Sequence, residues 1–373
     1  MTSEAGKDAA KSPRLYAAPE ESGSEELLRS LYGKGETGRE IRASRPRSGA
    51  GPMRTAYLEL LKLCLCDLAG AQTLSVSRAG YTRRSESELR SRELDDSELG
   101  LRAGGLDWPF SGLTMVGLVR LDDLQACIES AVADGVEGDV IEAGAWRGGA
   151  AILARATLDS LGADERTVWV ADSFRGLPAP DPGAFPKDRL LDLSQVGFLA
   201  VPLEEVRSYF ARFGCEQGVE FVEGYFNETL PTLRGCRWSV VRLDGDTYEA
   251  TRVGLDSLYP GLSAGGYLIV DDYGLIPECH AAVHDFRREH EITEPIEKID
   301  FNGIRWRKER EPDPSAVSTA RPPRRAPAST SAQERNTGRA HIPTERELEL
   351  EREVRELRER LEAVSGTGSE DPR

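Results

Sequence analysis

Acidic side chains follow the strand-like segments of this chain, at positions where a bound ligand would meet them. The segment LIVDDYG (268 to 274) ends on Asp271 and Asp272, RLDGD ends on Asp244 and Asp246, and VWVADS carries Asp172 near its end. A single acid at a strand end is most often a helix cap or a turn residue. Ligands of parallel α/β sheets bind beyond the carboxyl ends of the strands, so acids repeated at these ends indicate a ligand site.

A glycine-rich turn follows another strand-like segment, in the sequence DVIEAGAWRGGA (139 to 150). Such a turn lets the backbone approach a ligand closely, but it lacks the G-x-G-x-x-G order of nicotinamide-binding turns. Glu142 would repel a pyrophosphate and suits a cationic ligand such as the amino and sulfonium groups of S-adenosylmethionine. Asp172 could accept hydrogen bonds from the two hydroxyls of a ribose. These residues favour a methyl donor over the alternative, a nicotinamide-dependent oxidoreductase.

The elements that would position these residues alternate between short apolar segments and segments of helical periodicity over residues 106 to 308. This alternation predicts a doubly wound, mainly parallel α/β sheet with right-handed crossovers. The FNG sequence between EPIEKID and GIRWRK predicts an antiparallel hairpin at one edge. The five predicted parallel strands are DVIEAG, TVWVADS, VEFVEGYF, WSVVRLDGD and GYLIVDD.

The segments that flank this region differ from it in composition. Residues 1–50 are predicted to be a disordered tail, and apolar spacing of three and four predicts a helix from Met53 to Leu74 at the start of a domain spanning 51–308. A Pro-rich linker (309–342) leads to a short charged helix (343–365). Its apolar residues follow a heptad pattern, at Leu350, Val354, Leu357, Leu361 and Val364. Either the helix pairs with a partner or a second copy through these residues, or the segment is a partly helical charged tail.

Composition narrows the classes of function. The net charge of −16 argues against a nucleic-acid-binding protein, and 39% apolar residues suffice for a core in a chain of 373 residues. No leader-like or membrane-spanning segment stands out, and the six cysteines form no CxxC pair. We therefore expect a cytoplasmic protein with reduced thiols that binds a small ligand or a protein partner and has no membrane association.

Several motifs together resemble the macrocin O-methyltransferase family, whose members methylate sugar hydroxyls of macrolide and aminocoumarin natural products. The resemblance covers residues 53 to 308 and rests on DWPFSGLTMVGLVRLDDLQACIE, GDVIEAGAWRGGA, VWVADSFRGLP, GYFNETLP, RLDGDTYEAT and GGYLIVDDYG. It implies a class I methyltransferase fold with an N-terminal helical lid. It also implies dependence on S-adenosylmethionine and Mg²⁺, and a hydroxyl of a deoxysugar in a glycoside as the acceptor.

The resemblance also assigns roles to particular residues. It implies that Asp244 is the general base and that the metal ligands are Asp244, Asp271 and Asp272. It implies that four groups of residues bind the donor. These are a lid contact (Thr114, Met115), a methionine-binding turn (Glu142, Ala143, Gly144, Ala145, Trp146), a ribose-binding pair (Asp172, Ser173) and a pair near adenine (Gly224, Tyr225). Leu113 departs from the pattern, because family members commonly have His there.

Other interpretations of these residues remain open. Asp246 could replace Asp244 as ligand or base, although an N-cap of the following helix is the simpler account. His280 and His284 have the spacing of metal ligands on a helix, but no third ligand is evident and a surface or core position is the simpler expectation. Trp108 and Trp146 could contact a ligand or lie in the core. The chain could also be an inactive methyltransferase-like module that interacts through its terminal helix.

Overall fold

The computed structural model describes residues 50–70, 72–76, 91–95 and 98–310. The predicted N-terminal tail, linker and terminal helix therefore lie outside the described residues, apart from a few residues at their borders. Within them, no helix is long and apolar enough to cross a membrane. All six cysteines are described and none forms a disulfide.

Eight helices and nine strands form the described part of the chain. The helices are α1 (Ala50–Leu65), α2 (Leu99–Ala103), α3 (Gly117–Ala133), α4 (Gly149–Leu161), α5 (Leu203–Arg212), α6 (Phe226–Thr229), α7 (Tyr248–Leu258) and α8 (Pro277–Glu289). The strands are β1 (Leu74–Val76), β2 (Ser91–Glu93), β3 (Asp139–Ala143), β4 (Val168–Asp172), β5 (Val219–Glu223), β6 (Trp238–Leu243), β7 (Leu262–Val270), β8 (Glu297–Lys298) and β9 (Ile304–Arg307).

Seven of these strands form one sheet in the order β5-β4-β3-β6-β7-β9-β8. The pairs from β5 to β7 are parallel, and β9 pairs antiparallel with both β7 and β8. The predicted doubly wound sheet with an antiparallel edge hairpin is confirmed. Because the chain order reverses between β3 and β6, the carboxyl ends of these two strands flank the position where such sheets bind ligands.

Alternate residues of the central strands pack on opposite faces of the sheet, as a strand buried on both sides requires. Val140 of β3 packs against the face covered by α1, α3, α4 and α5, whereas Ile141 packs against the face covered by α7 and α8. Both side chains are at most 2% exposed. Burial on both faces fixes the strand register, because a shift by one residue would exchange the two sets of side chains.

The N-terminal region differs from its prediction. The helix expected to reach Leu74 ends at Leu65, and the backbone of Asp67 adopts a φ of 57° where the chain turns. Leu74 instead begins β1, which pairs antiparallel with β2. Arg102 attaches this pair to α1, because its guanidinium donates to the carbonyl oxygens of Cys66 (3.1 Å) and Leu74 (2.7 Å). Arg102 is therefore buried, at 1% exposure, although the sequence that precedes it is rich in charged and polar residues.

Strand β7 begins four residues before its predicted start at Gly266. Its pairing with β6 contains a register irregularity, and Gly265 within it has a φ of 78°. The two adjacent glycines resemble a turn in sequence, but they accommodate a bulge inside a continuous strand.

The edge hairpin contacts the loop that follows β7. Asp300 accepts hydrogen bonds from the backbone nitrogens of Asn302 (2.8 Å) and Gly303 (2.7 Å), which fixes the hairpin turn. The side-chain oxygen of Asn302 accepts from the backbone nitrogen of Leu275 at 2.8 Å, and its carbonyl accepts from Gly274. The hairpin therefore stabilises the loop that carries Asp271 and Asp272.

Candidate functional site

A cleft of about 1270 Å³, partly open to solvent, lies at the carboxyl ends of β3, β4, β6 and β7. Its wall combines apolar side chains with a group of carboxylates. The residues that line it include Trp108, Met115, Arg120, Gly144, Trp146, Asp172, Ser173, Tyr225, Asp244, Asp246, Asp271, Asp272 and Asn302.

The turn after β3 requires glycine at position 144. Gly144 has a φ of 92°, and a Cβ atom on it would lie 1.7 Å from the carbonyl oxygen of Asp244. A side chain is therefore sterically impossible here without moving the end of β6. We call the turn from Glu142 to Trp146 the donor turn, after the ligand that the resemblance implies for it. Its backbone at Gly144 directly contacts that of Asp244, one of the candidate metal ligands.

Asp172 at the end of β4 organises this turn. Its Oδ2 accepts from the backbone nitrogens of Ala145 (2.8 Å) and Trp146 (3.2 Å), and its Oδ1 accepts from that of Phe174 (2.8 Å). Burial raises the pKa of this carboxyl, and the three backbone donors act in the opposite direction. The neighbouring Ser173 hydroxyl donates to the carbonyl of Gly176 at 2.6 Å, so it is already engaged within its own loop.

Glu142 lies below the cleft within the sheet and is 4% exposed. Its Oε1 accepts from Arg242 at 2.7 Å, whereas its Oε2 is buried and has no hydrogen-bond partner among the described residues. Burial raises the pKa of Glu142 to about 8, although Arg242 opposes the shift. The unpartnered oxygen is consistent with a missing cationic partner, because buried polar atoms are normally hydrogen-bonded.

Asp244, Asp271 and Asp272 come together at the ends of β6 and β7. Each offers a carboxylate oxygen, and these oxygens lie within 4.8 Å of one another. Arg242 balances part of their charge, because its Nη1 lies 2.9 Å from Asp244 and its Nη2 lies 2.5 Å from Asp271. One arginine thus contacts acids on three adjacent strands.

A second buried arginine, Arg120 of α3, completes the contacts of Asp271. It pairs with the Oδ2 of Asp271, and its Nε lies 3.1 Å from Asp300 of the hairpin turn. Both oxygens of Asp271 therefore face guanidinium groups. Arg120 joins three parts of the chain at the cleft: a helix, the end of β7 and the edge hairpin.

Asp246 has a different environment. The expectation that it caps the following helix is wrong, because Thr247 is the N-cap and accepts from the backbone nitrogen of Ala250 at 3.1 Å. Asp246 instead has a φ of 60°, and its backbone nitrogen donates to Asp272 at 3.1 Å. Limited access to water, together with Asp244 and Asp271, raises its pKa to about 8.

The segment before α3 is attached to the donor turn through its backbone. Leu113 and Thr114 both donate to the carbonyl of Leu65 at the end of α1, at 2.7 and 3.3 Å. The carbonyl of Leu113 accepts from Gly149 at the start of α4 at 2.9 Å. Leu113 packs in the core, and Met115 two residues later reaches the cleft.

Arg147 and three aromatic rings hold the same segment. Arg147 donates to the carbonyls of Phe110 (2.9 Å) and Gly112 (2.8 Å) and lies 4.3 Å from the ring centre of Trp146. Phe198 stacks on Trp108 at 5.6 Å, and the Trp146 indole donates to the carbonyl of Phe198 at 3.0 Å. Both tryptophans thus lie at the cleft wall.

The structure brings most of the predicted site residues to one cleft, but not all. Those that line it are Met115, Gly144, Trp146, Asp172, Ser173, Tyr225, Asp244, Asp271 and Asp272. Those outside its lining are Thr114, Glu142, Ala143, Ala145 and Gly224. His280 and His284 lie exposed on α8 beside Tyr273, and they join no group of three metal-binding side chains within the described residues.

The sequence patterns do not indicate four residues of the site, which are Arg120, Arg147, Arg242 and Asn302. Only Arg242 has a local signal, since it is a charged residue inside a strand buried along its whole length, and a buried charge needs a partner. The positions of the other three follow from contacts between distant segments.

The residues fit both groups that the resemblance implies. Asp244 and Asp272 each use one oxygen in the contacts described, which leaves the other for a divalent cation, and Mg²⁺ accepts such oxygen ligands. The added positive charge would relieve the repulsion among the acids. On the donor side, the Gly144 turn and the unpartnered Oε2 of Glu142 fit a ligand with a cationic amino acid portion.

Residues 54–308, which contain this cleft, resemble several known proteins. The family model described as macrocin O-methyltransferase (TylF) matches residues 54–308. The 8-demethyl-8-(2,3-dimethoxy-alpha-L-rhamnosyl)-tetracenomycin-C 4'-O-methyltransferase of Streptomyces olivaceus is 49% identical over 205 residues, which cover 54% of this chain and 78% of that protein.

Two further relatives resemble the same region. The mycinamicin III 3''-O-methyltransferase of Micromonospora griseorubida is 45% identical over 211 residues, which cover 56% of this chain and 83% of that protein. The solved structure of the O-methyltransferase NovP is 36% identical, with a TM-score of 0.61, and the alignment covers 69% of this chain and 100% of that one.

Proposed function

Because this chain belongs to the macrocin O-methyltransferase family, we propose that it transfers the methyl group of S-adenosylmethionine to a sugar hydroxyl of a natural-product glycoside, with Mg²⁺ as cofactor. Its enzyme class, O-methyltransferase, follows from the family and from its relatives. Two relatives are named for methylating a glycosidic natural product, which supports a glycoside acceptor here. We place the enzyme in the cytoplasm.

The observation that carries the proposal is the position of the acid cluster beside the donor turn. Asp244 is both a member of the cluster and the backbone neighbour of Gly144. Gly144 of the donor turn and all three acids of the cluster line the same cleft, so a donor and an acceptor could lie side by side in it. Methyl transfer requires two substrates held side by side.

The protein would bind the donor mainly through the ends of β3 and β4. We assign the methionine portion to the turn from Glu142 to Trp146 and the ribose to Asp172, whose carboxylate can accept from hydroxyls in addition to its backbone donors. Met115 and Tyr225, which both line the cleft, would also contact the donor. Ser173 would act by shaping its loop, because its hydroxyl is engaged with Gly176.

The acids at the ends of β6 and β7 would hold the metal and the acceptor. When bound, Mg²⁺ lowers the pKa of a coordinated hydroxyl and orients it towards the methyl group. Asp244, Asp271 and Asp272 would be its ligands, and Arg242 keeps Asp244 and Asp271 in place.

The contacts favour Asp246 over Asp244 as the residue that accepts the hydroxyl proton. A carboxylate paired with a guanidinium or a metal is a weak base. Asp244 is paired with Arg242, whereas the Asp246 carboxylate lines the cleft and makes no hydrogen bond to another described residue. Its left-handed backbone conformation, which is uncommon outside glycine, is typical of functional positions.

Asp272→Asn tests the metal site with little structural change, because the amide oxygen can still accept from the Asp246 nitrogen. We expect Mg²⁺ affinity to fall more than tenfold and kcat to fall more than about 100-fold, while calorimetric titration with S-adenosylhomocysteine shows unchanged donor affinity. The control is Asp164→Asn at an exposed position. Full turnover of Asp272→Asn in the presence of EDTA would remove Mg²⁺ from the proposal, and an absence of donor binding in the wild type would favour an inactive interaction module.

A further inference from the structure

Helix α1 presents a line of apolar side chains to solvent. Met53, Tyr57 and Leu60 are 52%, 47% and 50% exposed, and Cys64 is also exposed. Three of the four large apolar side chains that are exposed in the described part of the chain lie on this helix. Successive positions are separated by four, three and four residues, so the side chains form one continuous stripe. We call these four residues the α1 stripe.

The α1 stripe is not needed to attach α1 to the domain. The opposite side of the helix already packs in the core through Leu58, Leu61 and Leu65, each at most 5% exposed. Isolated exposed apolar side chains are common, but a line at heptad spacing is typical of a helix that packs against another helix. The stripe therefore indicates a docking surface for a helix.

The same chain contains a segment with the matching pattern. Leu350, Val354, Leu357 and Leu361 repeat at four, three and four residues, and most of the residues between them are charged. An isolated helix of this length is marginal in water and needs a second apolar surface to be stable. The α1 stripe has the same spacing as these four residues, so each set could provide the apolar surface on which the other packs.

The connection between the two stripes is long enough for both to meet within one chain. The described residues end at Arg310, and 39 residues, 311–349, separate it from Leu350. A flexible chain of this length has a root-mean-square end-to-end distance of about 35 Å. A domain of this size has a radius of gyration of about 18 Å, so the segment can reach any face of it at a high effective concentration.

We propose that residues 343–365 fold as a helix on the α1 stripe of the same chain. The docked segment covers Met53, Tyr57, Leu60 and Cys64 with its own apolar positions. Docking would also stiffen the last turn of α1, where the carbonyl of Leu65 holds Leu113 and Thr114 next to the cleft. This surface is separate from methyl transfer, and its test does not require activity.

Hydrogen exchange of the full-length protein, followed by mass spectrometry, tests the docking. We expect amides of 345–364 to exchange at least tenfold more slowly than in an unstructured peptide. Leu60→Glu should return them to the unstructured rate, because it places a charge in the seam, the apolar contact between α1 and the docked helix. Thr55→Glu, at an exposed position off the stripe, is the matched control and should leave protection unchanged. Unprotected amides in the wild type, or protection that survives Leu60→Glu, would overturn the proposal.

Disulfide trapping tests which chain supplies the segment. Because the spacing is symmetric, Cys64 would meet position 361 in a parallel pair and position 350 in an antiparallel pair. We expect Leu361→Cys or Leu350→Cys to form a disulfide with Cys64 at the mass of a monomer, and Ala363→Cys, outside the seam, to form none. Disulfide-linked dimers would assign the docked segment to a second copy and contradict docking within one chain. Equal trapping at position 363 would contradict a defined seam.

Discussion

The two halves of the cleft are held in place by different kinds of contact. In the half that we propose binds the methyl donor, called the donor half, Asp172 accepts from three backbone nitrogens of nearby turns. In the half that we propose binds the metal, called the metal half, carboxylates at the ends of β6 and β7 are held by two guanidinium groups, one of them from a residue 151 positions away in sequence. Backbone donors are present whatever the neighbouring side chains are, whereas ion pairs depend on the identity of each arginine. The metal half should therefore be the half that single substitutions disrupt most.

The largest effect is expected from Arg242→Met, which leaves three buried or partly buried acids without their shared cation. Breaking a buried ion pair by removing one partner costs about 3 to 5 kcal/mol, and we expect a loss of this size in urea denaturation. Arg237→Met is the matched control, since this arginine lies in the same strand region but its ion pair with Glu137 is exposed. Equal stability of the two variants would show that ion pairs do not hold the metal half.

A smaller effect is expected from pH, because burial raises the pKa of Glu142 to about 8. The folded protein then binds more protons than the unfolded chain between the unfolded pKa near 4.5 and the folded pKa, so stability present at low pH is lost as pH rises through this window. For the metal-free protein we expect unfolding free energy to fall by on the order of 2 kcal/mol from pH 5 to pH 8.

Glu142→Gln should remove part of that dependence, since Asp246, whose pKa is also raised to about 8, contributes with the same sign, while Glu216→Gln at an exposed position should preserve it. Denaturation curves at several pH values would measure both. An identical pH dependence in the Glu142 variant would mean that the charge beneath the donor turn is already balanced without a ligand.

The smallest effect is expected in the donor half, from Asp172→Asn. The amide preserves the shape of the side chain but loses charge and one set of acceptor positions, so we expect donor affinity to fall about tenfold, with Mg²⁺ affinity unchanged. Asp181→Asn is the matched control, because Asp181 also accepts from backbone nitrogens, at 2.9 and 3.3 Å, but lies in an exposed loop. Isothermal titration measures both ligands. A loss of Mg²⁺ affinity in Asp172→Asn would mean that the two halves are not held independently.

The same distinction explains what could be predicted from the sequence. The donor turn and the acids at strand ends follow from short-range patterns, namely glycine in a turn and a carboxylate after an apolar strand. The partner of Asp271 could not be read in this way, because nothing near Arg120 in the sequence specifies an acid 151 residues later. The environment of Asp246 also depends on tertiary contacts, since Thr247 and not Asp246 caps α7.

The boundaries of elements show the same limit. Leu68 continues the apolar periodicity of α1, but the chain leaves the helix at Leu65, and a left-handed residue at Asp67 directs it into β1. For β7 the sequence predicts a start at Gly266, whereas the strand begins at Leu262 and includes Gly265. In both cases pairing with a neighbouring strand overrides the local preference of the sequence.

Part of the attachment of the N-terminal segment to the donor turn is made by main-chain atoms alone: Leu113 and Thr114 donate to Leu65, and Gly149 donates to Leu113. Main-chain bonds impose no requirement on the side chains at positions 113 and 114, provided that the path of the chain is kept, whereas position 149 requires glycine because a Cβ atom there would lie 2.5 Å from the carbonyl oxygen of Leu113. Met115 and Val116, which line the cleft, directly follow this attachment. Their side chains could therefore change between related enzymes without altering the main-chain bonds that hold the segment beside the donor turn.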